Sequence, residues 1–135
     1  MQAGDPPRPA TRRVLIVEDN ELNLKLLRDV LEAHGYATLA AREGGAALAL
    51  ARGDQPDLIL MDLQLPDISG LEAVRQLKDD EETRAIPVVA VTAFAMVGDE
   101  RKALTSGCDA YVAKPIVLRD FLDLVERFIG TGHTR

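Results

Sequence analysis

"PDLILMDLQLPD", residues 56–67, is the stretch whose reading decides the fold. Leu58-Ile59-Leu60-Met61 is an unbroken apolar run with no polar alternation. Runs of this kind belong to strands buried on both faces, as in a parallel sheet. The run leads straight into a carboxylate, Asp62, and the chain then turns through Leu63-Gln64-Leu65 to Pro66. A lone ionised carboxylate is costly to bury. Asp62 is therefore expected at the exposed rim of the sheet, held rigidly by the strand behind it.

Working outward, similar short runs recur. Val14 to Val17 reads as a first strand, about Tyr36 to Ala40 as a weaker second, Pro87 to Val91 as a fourth and Ala110 to Ala113 as a short fifth. Between them lie helical patterns. Leu24, Leu27, Val30 and Leu31 share a face and stop at Gly35; an alanine-rich segment spans about Gly44 to Arg52. Leu71, Val74 and Leu77 mark a helix over Gly70 to Lys78, and another runs from about Gly98 to Ser106. The clearest stripe is the last: Leu118, Phe121, Leu122, Val125, Phe128 and Ile129. The helix near 98–106 has the poorest apolar stripe and is expected to be the least firmly docked. Strand followed by helix, five times, with connections too long for hairpins, predicts an α/β fold. The sheet would be parallel, five-stranded and doubly wound, with helices on both faces.

The chain's 135 residues suffice for one core, and its 47% hydrophobic and 28% charged residues are ordinary for a globular protein. A net charge of −6 argues against unspecific binding to nucleic acid or anionic membrane. Cys108 is the only cysteine, which excludes an intrachain disulfide and a thiolate metal cluster. No run reaches the roughly 20 apolar residues of a membrane span, and "MQAGDPPRPATR" lacks the apolar centre of a signal peptide. The expectation is a cytoplasmic protein with a disordered lead-in over 1–12, one domain over 13–130 and a flexible tail over 131–135.

In an open parallel sheet, chemistry collects beyond the carboxyl ends of the strands, near the point where strand order reverses. The first strand ends in Glu18-Asp19, the third in Asp62, the fourth in Thr92 and the fifth in Lys114-Pro115. Only the second ends blandly, as an edge strand outside the crevice would. Three acids, a hydroxyl and an ammonium thus share one rim. Two carboxylates about 4 Å apart repel by roughly 4 kcal/mol at an effective dielectric of 20, so three together would raise one another's pKa values or need a cation. Few, hard oxygen ligands suit Mg²⁺, which favours carboxylates together with phosphate oxygens. Such a rim can hold an anion beside a metal, with a carboxylate nucleophile in reach. Aspartyl phosphate formation is chemistry of that kind.

The segments "VLIVEDNELN", "DLILMDLQLPDISGLE", "IPVVAVTAFA" and "GCDAYVAKPI" carry a resemblance over about residues 13–130. In order and spacing the chain resembles the receiver domain of bacterial two-component response regulators. "VEDNELN", "TAFAM" and "AKPI" look like those of single-domain cell-division regulators of that family. The resemblance implies the sheet order 2-1-3-4-5. It implies that Asp62 is the phosphoacceptor, and that Asp19, Asp62 and the backbone carbonyl of Gln64 ligate one Mg²⁺, with Glu18 acting through a water. Thr92 would donate to the phosphoryl group, Lys114 would pair with a phosphoryl oxygen, and the Lys114–Pro115 peptide would be cis. Tyr111 falls at the position of the family's switch aromatic, acting with Thr92; read without the family it is a partly buried tyrosine on a short strand. Gln64 and Phe94 stand where the family varies.

The implied function is a signalling phosphoacceptor, not an enzyme acting on others, that catalyses its own phosphotransfer and dephosphorylation. Its partners would be sensor histidine kinases or a histidine phosphotransfer protein. A downstream protein would read the face of the fourth helix, fifth strand and fifth helix, in cell-cycle or polarity control. No DNA-binding segment follows Ile129, and neither nucleic acid nor membrane insertion is implied. The alternative is an aspartyl-phosphate-type phosphatase on a similar sheet. Such enzymes usually carry a second aspartate two residues after the nucleophile; here that residue is Gln64. A nucleotide-binding module is a third reading, but neither glycine-rich phosphate loop follows the first strand. His34 and His133 lie at a helix end and in the tail, where no chemical role is expected.

Overall fold

The computed structural model describes residues 11–93 and 99–130. The elements run β1 Arg13–Val17, α1 Glu21–Ala33, β2 Ala37–Ala41, α2 Gly44–Asp54 and β3 Leu58–Asp62. They continue α3 Gly70–Asp79, β4 Val88–Thr92, α4 Asp99–Thr105, β5 Ala110–Ala113 and α5 Leu118–Ile129. All pairings are parallel, and the order is β2-β1-β3-β4-β5. The chain leaves β1 towards β2 on one side and returns to β3 on the other, so the reversal lies between β1 and β3. The expected residues 1–10 of the lead-in, the tail and Phe94 lie outside the described residues.

Alternation along the strands makes two cores. Leu15, Val17, Ile59, Met61, Val88 and Ala90 face α2, α3 and α4, meeting Ala47, Ala51, Val74, Leu77 and Ala103. Val14, Ile16, Leu58, Leu60, Val89 and Val91 face α1 and α5, meeting Leu24, Leu27, Leu31, Phe121 and Val125. Every residue of β3 and β4 is buried, as strands covered on both faces must be. Cys108 belongs to the first core, and burial, aided by Asp109 and opposed by Lys78, pushes its thiol up to about 11. Ala103 is the only residue of the described α4 side chains that is buried, in keeping with that helix's poor stripe.

Local signals explain most boundaries. Asn20 Oδ1 accepts from the Asn23 amide at 2.9 Å and opens α1, while Ser69 Oγ accepts from the Glu72 amide at 3.1 Å and opens α3. Gly35 and Gly107, with φ of 93° and 112°, follow α1 and α4 in a conformation that glycine adopts freely. Several boundaries shift from the sequence reading, among them β4, which runs Val88–Thr92 and not Pro87–Val91. Tyr36 is not in β2, because its amide closes the turn after α1 by donating to the Leu31 carbonyl at 3.0 Å. Pairing with β1 starts one residue later, at Ala37 opposite Arg13. Helix α2 passes Gly53 and ends at Asp54, capped by Gln55 at φ 49°, whose side-chain amide donates to the Glu82 carbonyl at 2.8 Å. The expected start of α4 at Gly98 lies outside the described residues, and the helix is described from Asp99.

Candidate functional site

Strand register assembles the rim. Val17 lies opposite Met61, so the next residues, Glu18 and Asp62, leave neighbouring strands side by side. Asp62 lies opposite Val91, and Thr92 opposite Ala113, the residue before Lys114. Backbone pairing extends past the last strand residues: Glu18 donates to Ala41 at 3.0 Å, Leu63 to Val91 at 3.0 Å and Lys114 to Thr92 at 2.7 Å. The side chains at these strand ends are thus mounted on a fixed backbone. The Lys114–Pro115 peptide is cis.

The Lys114 ammonium donates to Glu18 Oε1 at 2.9 Å and to Asp62 Oδ2 at 3.3 Å. The second oxygen of each acid takes a peptide N–H two residues on: Asn20 to Glu18 Oε2 at 3.1 Å, and Gln64 to Asp62 Oδ1 at 2.9 Å. Both acids are buried, Glu18 with 3% and Asp62 with 5% of its surface exposed. The expectation of an exposed rim is corrected here. Asp62 is inside the protein, and the ammonium and the Gln64 amide offset the desolvation that makes a lone buried acid untenable.

One ammonium does not balance two acids. Burial pushes the Glu18 carboxyl up; the Lys114 bond opposes that, and the neighbouring Asp62 adds to it. Burial alone would lower Lys114, but the hydrogen bond to Glu18 and the fields of Asp62 and Glu18 outweigh it and raise the ammonium. The pair of acids retains a negative excess that a further cation would relieve.

Of the residues expected on the rim, Glu18, Asp62 and Lys114 are in mutual contact. Thr92 is buried at the end of β4, and Tyr111 lies partly buried on β5. Asp19 is exposed, and among the described residues no group of three acids stands at metal-ligating spacing. The donor chemistry nonetheless fits a hard divalent cation: two carboxylates with surplus charge, a third acid next in the chain, and the Gln64 carbonyl on the adjoining turn.

Two residues around the rim escaped the sequence reading. Asp67 accepts from the Gly44 amide at 2.7 Å through Oδ1 and from the Gly45 amide at 2.8 Å through Oδ2. It caps α2 from the β3–α3 loop, while Glu43, the local cap residue, makes no side-chain capping bond. The Gly45 and Gly44 amides hold the Asp67 carboxyl below the usual range. Arg42 donates to Glu21 Oε1 at 2.9 Å and to the Asp19 carbonyl at 3.1 Å. The only sequence trace of the first contact is the pair Gly44-Gly45, which reads simply as a helix start.

The profile of the response regulator receiver domain matches residues 14–126. The polar-differentiation response regulator DivK of Brucella ovis is 58% identical over 120 residues, which cover 89% of this chain and 98% of that protein. Among solved structures, the receiver domain of a sensor histidine kinase of Pseudomonas aeruginosa superposes with a TM-score of 0.83 at 34% identity. That match covers 90% of this chain and 99% of the other, and the structure carries a magnesium ion in its active-site cleft. A CheY-like receiver domain protein of Methanospirillum hungatei gives a TM-score of 0.81 at 30% identity, covering 87% and 93% of the two chains.

Proposed function

Because the chain belongs to the response regulator receiver family of two-component signalling, we propose that Asp62 accepts a phosphoryl group from a phosphohistidine of a sensor kinase or histidine phosphotransfer protein. The observation that carries this is the Lys114 ammonium against buried Asp62, with the other Asp62 oxygen fixed by the Gln64 amide. An Asp62 oxygen attacks phosphorus in line, the P–N bond breaks, and its electron pair goes to the donor imidazole, which leaves as a neutral ring because its other nitrogen carries a proton. Lys114 exchanges its contact with Asp62 for one with a phosphoryl oxygen, and the Thr92 hydroxyl donates to another. Such a transfer needs positioning and charge neutralisation more than covalent help.

Asp19, Asp62 and the Gln64 carbonyl would hold Mg²⁺, with Glu18 acting through a water. The ion, when bound, supplies the positive charge that the two acids and the incoming phosphoryl oxygens lack. The same residues, with a water as nucleophile, would return Asp62 to its free state. The magnesium-bound kinase receiver domain supports this ligand chemistry. The readout face would be α4, β5 and α5: β5 is an edge strand of the sheet, and Tyr111, Val112, Val117 and Leu124 line a groove between it and α5. Tyr111 and Thr92 would couple the site to that face. The DivK relatives' name favours polarity or cell-cycle control. The domain so read spans residues 13–130 and works in the cytoplasm; no described helix is long and apolar enough to cross a membrane.

Binding of Mg²⁺ to the folded state raises stability by mass action. A melting temperature that climbs across millimolar Mg²⁺, and does so less in Asp19→Asn, supports the site. A flat response in the wild type contradicts it.

A further inference from the structure

The turn between β2 and α2, Arg42 to Gly45, holds no residue of the acid–ammonium site, yet it touches both loops that carry that site's acids. On one side the Arg42 guanidinium bonds the Asp19 carbonyl and Glu21, fixing the β1–α1 loop and the first turn of α1. On the other, the Gly44 and Gly45 amides take both oxygens of Asp67, fixing the β3–α3 loop. Ile68 packs so closely on Gly44 that a methyl group there would lie 2.5 Å from its Cγ1. The β3–α3 loop is also closed on itself, since Gly70 donates to the Leu63 carbonyl at 3.0 Å. The two loops join the sheet independently, and through this turn they are also tied to a common third element.

We propose that Arg42 and Asp67 are positioning residues for cation binding and phosphoryl acceptance, acting as a brace that sets the spacing between the Glu18-Asp19 loop and the Asp62-Gln64 loop. This rests on the phosphoacceptor reading for its consequence, though the brace itself is a property of the metal-free protein. An exposed ion pair such as Arg42–Glu21 contributes little to global stability. What it supplies is local: without it the Asp19 backbone loses its tie to β2, and without Asp67 the loop following the nucleophile loses its only side-chain tie to α2 among the hydrogen bonds described.

The test compares Arg42→Ala, Asp67→Ala and Asp67→Asn with Arg52→Ala. Arg52→Ala removes the Arg52–Asp80 ion pair at the far end of α2 and serves as the control. In the metal-free protein, hydrogen exchange of the Asn20 amide should speed in Arg42→Ala, and that of the Gln64 amide in Asp67→Ala. In a Mg²⁺ titration followed by melting temperature, both alanine variants should need about tenfold more Mg²⁺ for half of the full shift. At a Mg²⁺ concentration below the wild-type midpoint, their labelling by an acyl phosphate should slow by a similar factor. Asp67→Asn, which keeps one acceptor oxygen, should recover part of the loss, and Arg52→Ala should match wild type. Unchanged exchange and an unchanged Mg²⁺ midpoint in Arg42→Ala and Asp67→Ala overturn the brace, as does an equal shift in Arg52→Ala. If the wild type shows no Mg²⁺ response at all, the phosphoacceptor reading fails, and the exchange measurements alone decide the brace.

Discussion

Lys114, leaving β5, places its ammonium 3.3 Å from the carboxylate of Asp62, which ends β3 and lies 52 residues away in the sequence. The contact exists because β4 lies between the two strands and fixes both, Asp62 opposite Val91 and Ala113 opposite Thr92. The same ammonium reaches Glu18 at 2.9 Å, so one cation serves two buried acids.

Removing that cation without changing the side chain's bulk isolates its electrostatic role. Lys114→Met should destabilise the metal-free protein by about 3 kcal/mol at neutral pH, because two buried acids lose their only ionic partner among the described residues. The deficit should shrink as pH falls, since the Glu18 carboxyl, pushed up by burial, takes up a proton and ceases to be a charge in a poorly solvated site. Urea unfolding at several pH values measures it. A variant within about 0.5 kcal/mol of wild type at neutral pH would show that the acids are solvated well enough to need no partner.

Gly70 begins α3 directly beneath the peptide of Asp62. A Cβ there would lie 2.4 Å from the Asp62 carbonyl oxygen and 2.5 Å from Leu63 Cα, both backbone atoms with no rotamer to escape into. Gly70→Ala should therefore cost about 2 kcal/mol and slow the labelling of Asp62 by displacing its strand end. Gly44→Ala meets the Ile68 side chain instead, at 2.5 Å. A side chain can turn away, so the loss there should be smaller. Equal losses in the two variants would mean that the Asp62 backbone yields as easily as a side chain.

Much of this was readable in advance. Apolar runs at Val14–Val17 and Leu58–Met61 declare strands covered on both faces, and a parallel sheet with helices on both sides covers them. The strand ends then name Glu18, Asp62 and Lys114 before any geometry is known, because polar residues that close buried runs must collect on one rim. What could not be read was the depth of that rim. Burial of Asp62 depends on Lys114 and on the Gln64 amide, contacts made across strands and around a turn. Nor could the sequence disclose Asp67 as the cap of α2. Its partners are backbone amides 22 and 23 residues away, and a backbone amide has no signature in the chain. The sheet's second strand ends blandly, as its sequence says, but the turn after it is not bland.

The cap also has a pH dependence. The Gly45 and Gly44 amides hold the Asp67 carboxyl below 3.8, its ordinary value. The folded state therefore releases this proton more readily than the unfolded chain. The cap's contribution is complete above that ordinary value and is lost as pH falls through the lowered folded value. The stability difference between wild type and Asp67→Asn should be flat from neutral pH down to about 4 and should narrow below it. Chemical denaturation across the acid range measures this. A difference that narrows between neutral pH and pH 5 would assign the effect to another group.

The assignment of Asp62 as phosphoacceptor is tested most directly by mass spectrometry of the intact protein after incubation with Mg²⁺ and a small acyl phosphate. The wild type should gain one phosphoryl group, located on Asp62, and Asp62→Asn should gain none. Labelling of Asp62→Asn at the wild-type rate would contradict the account.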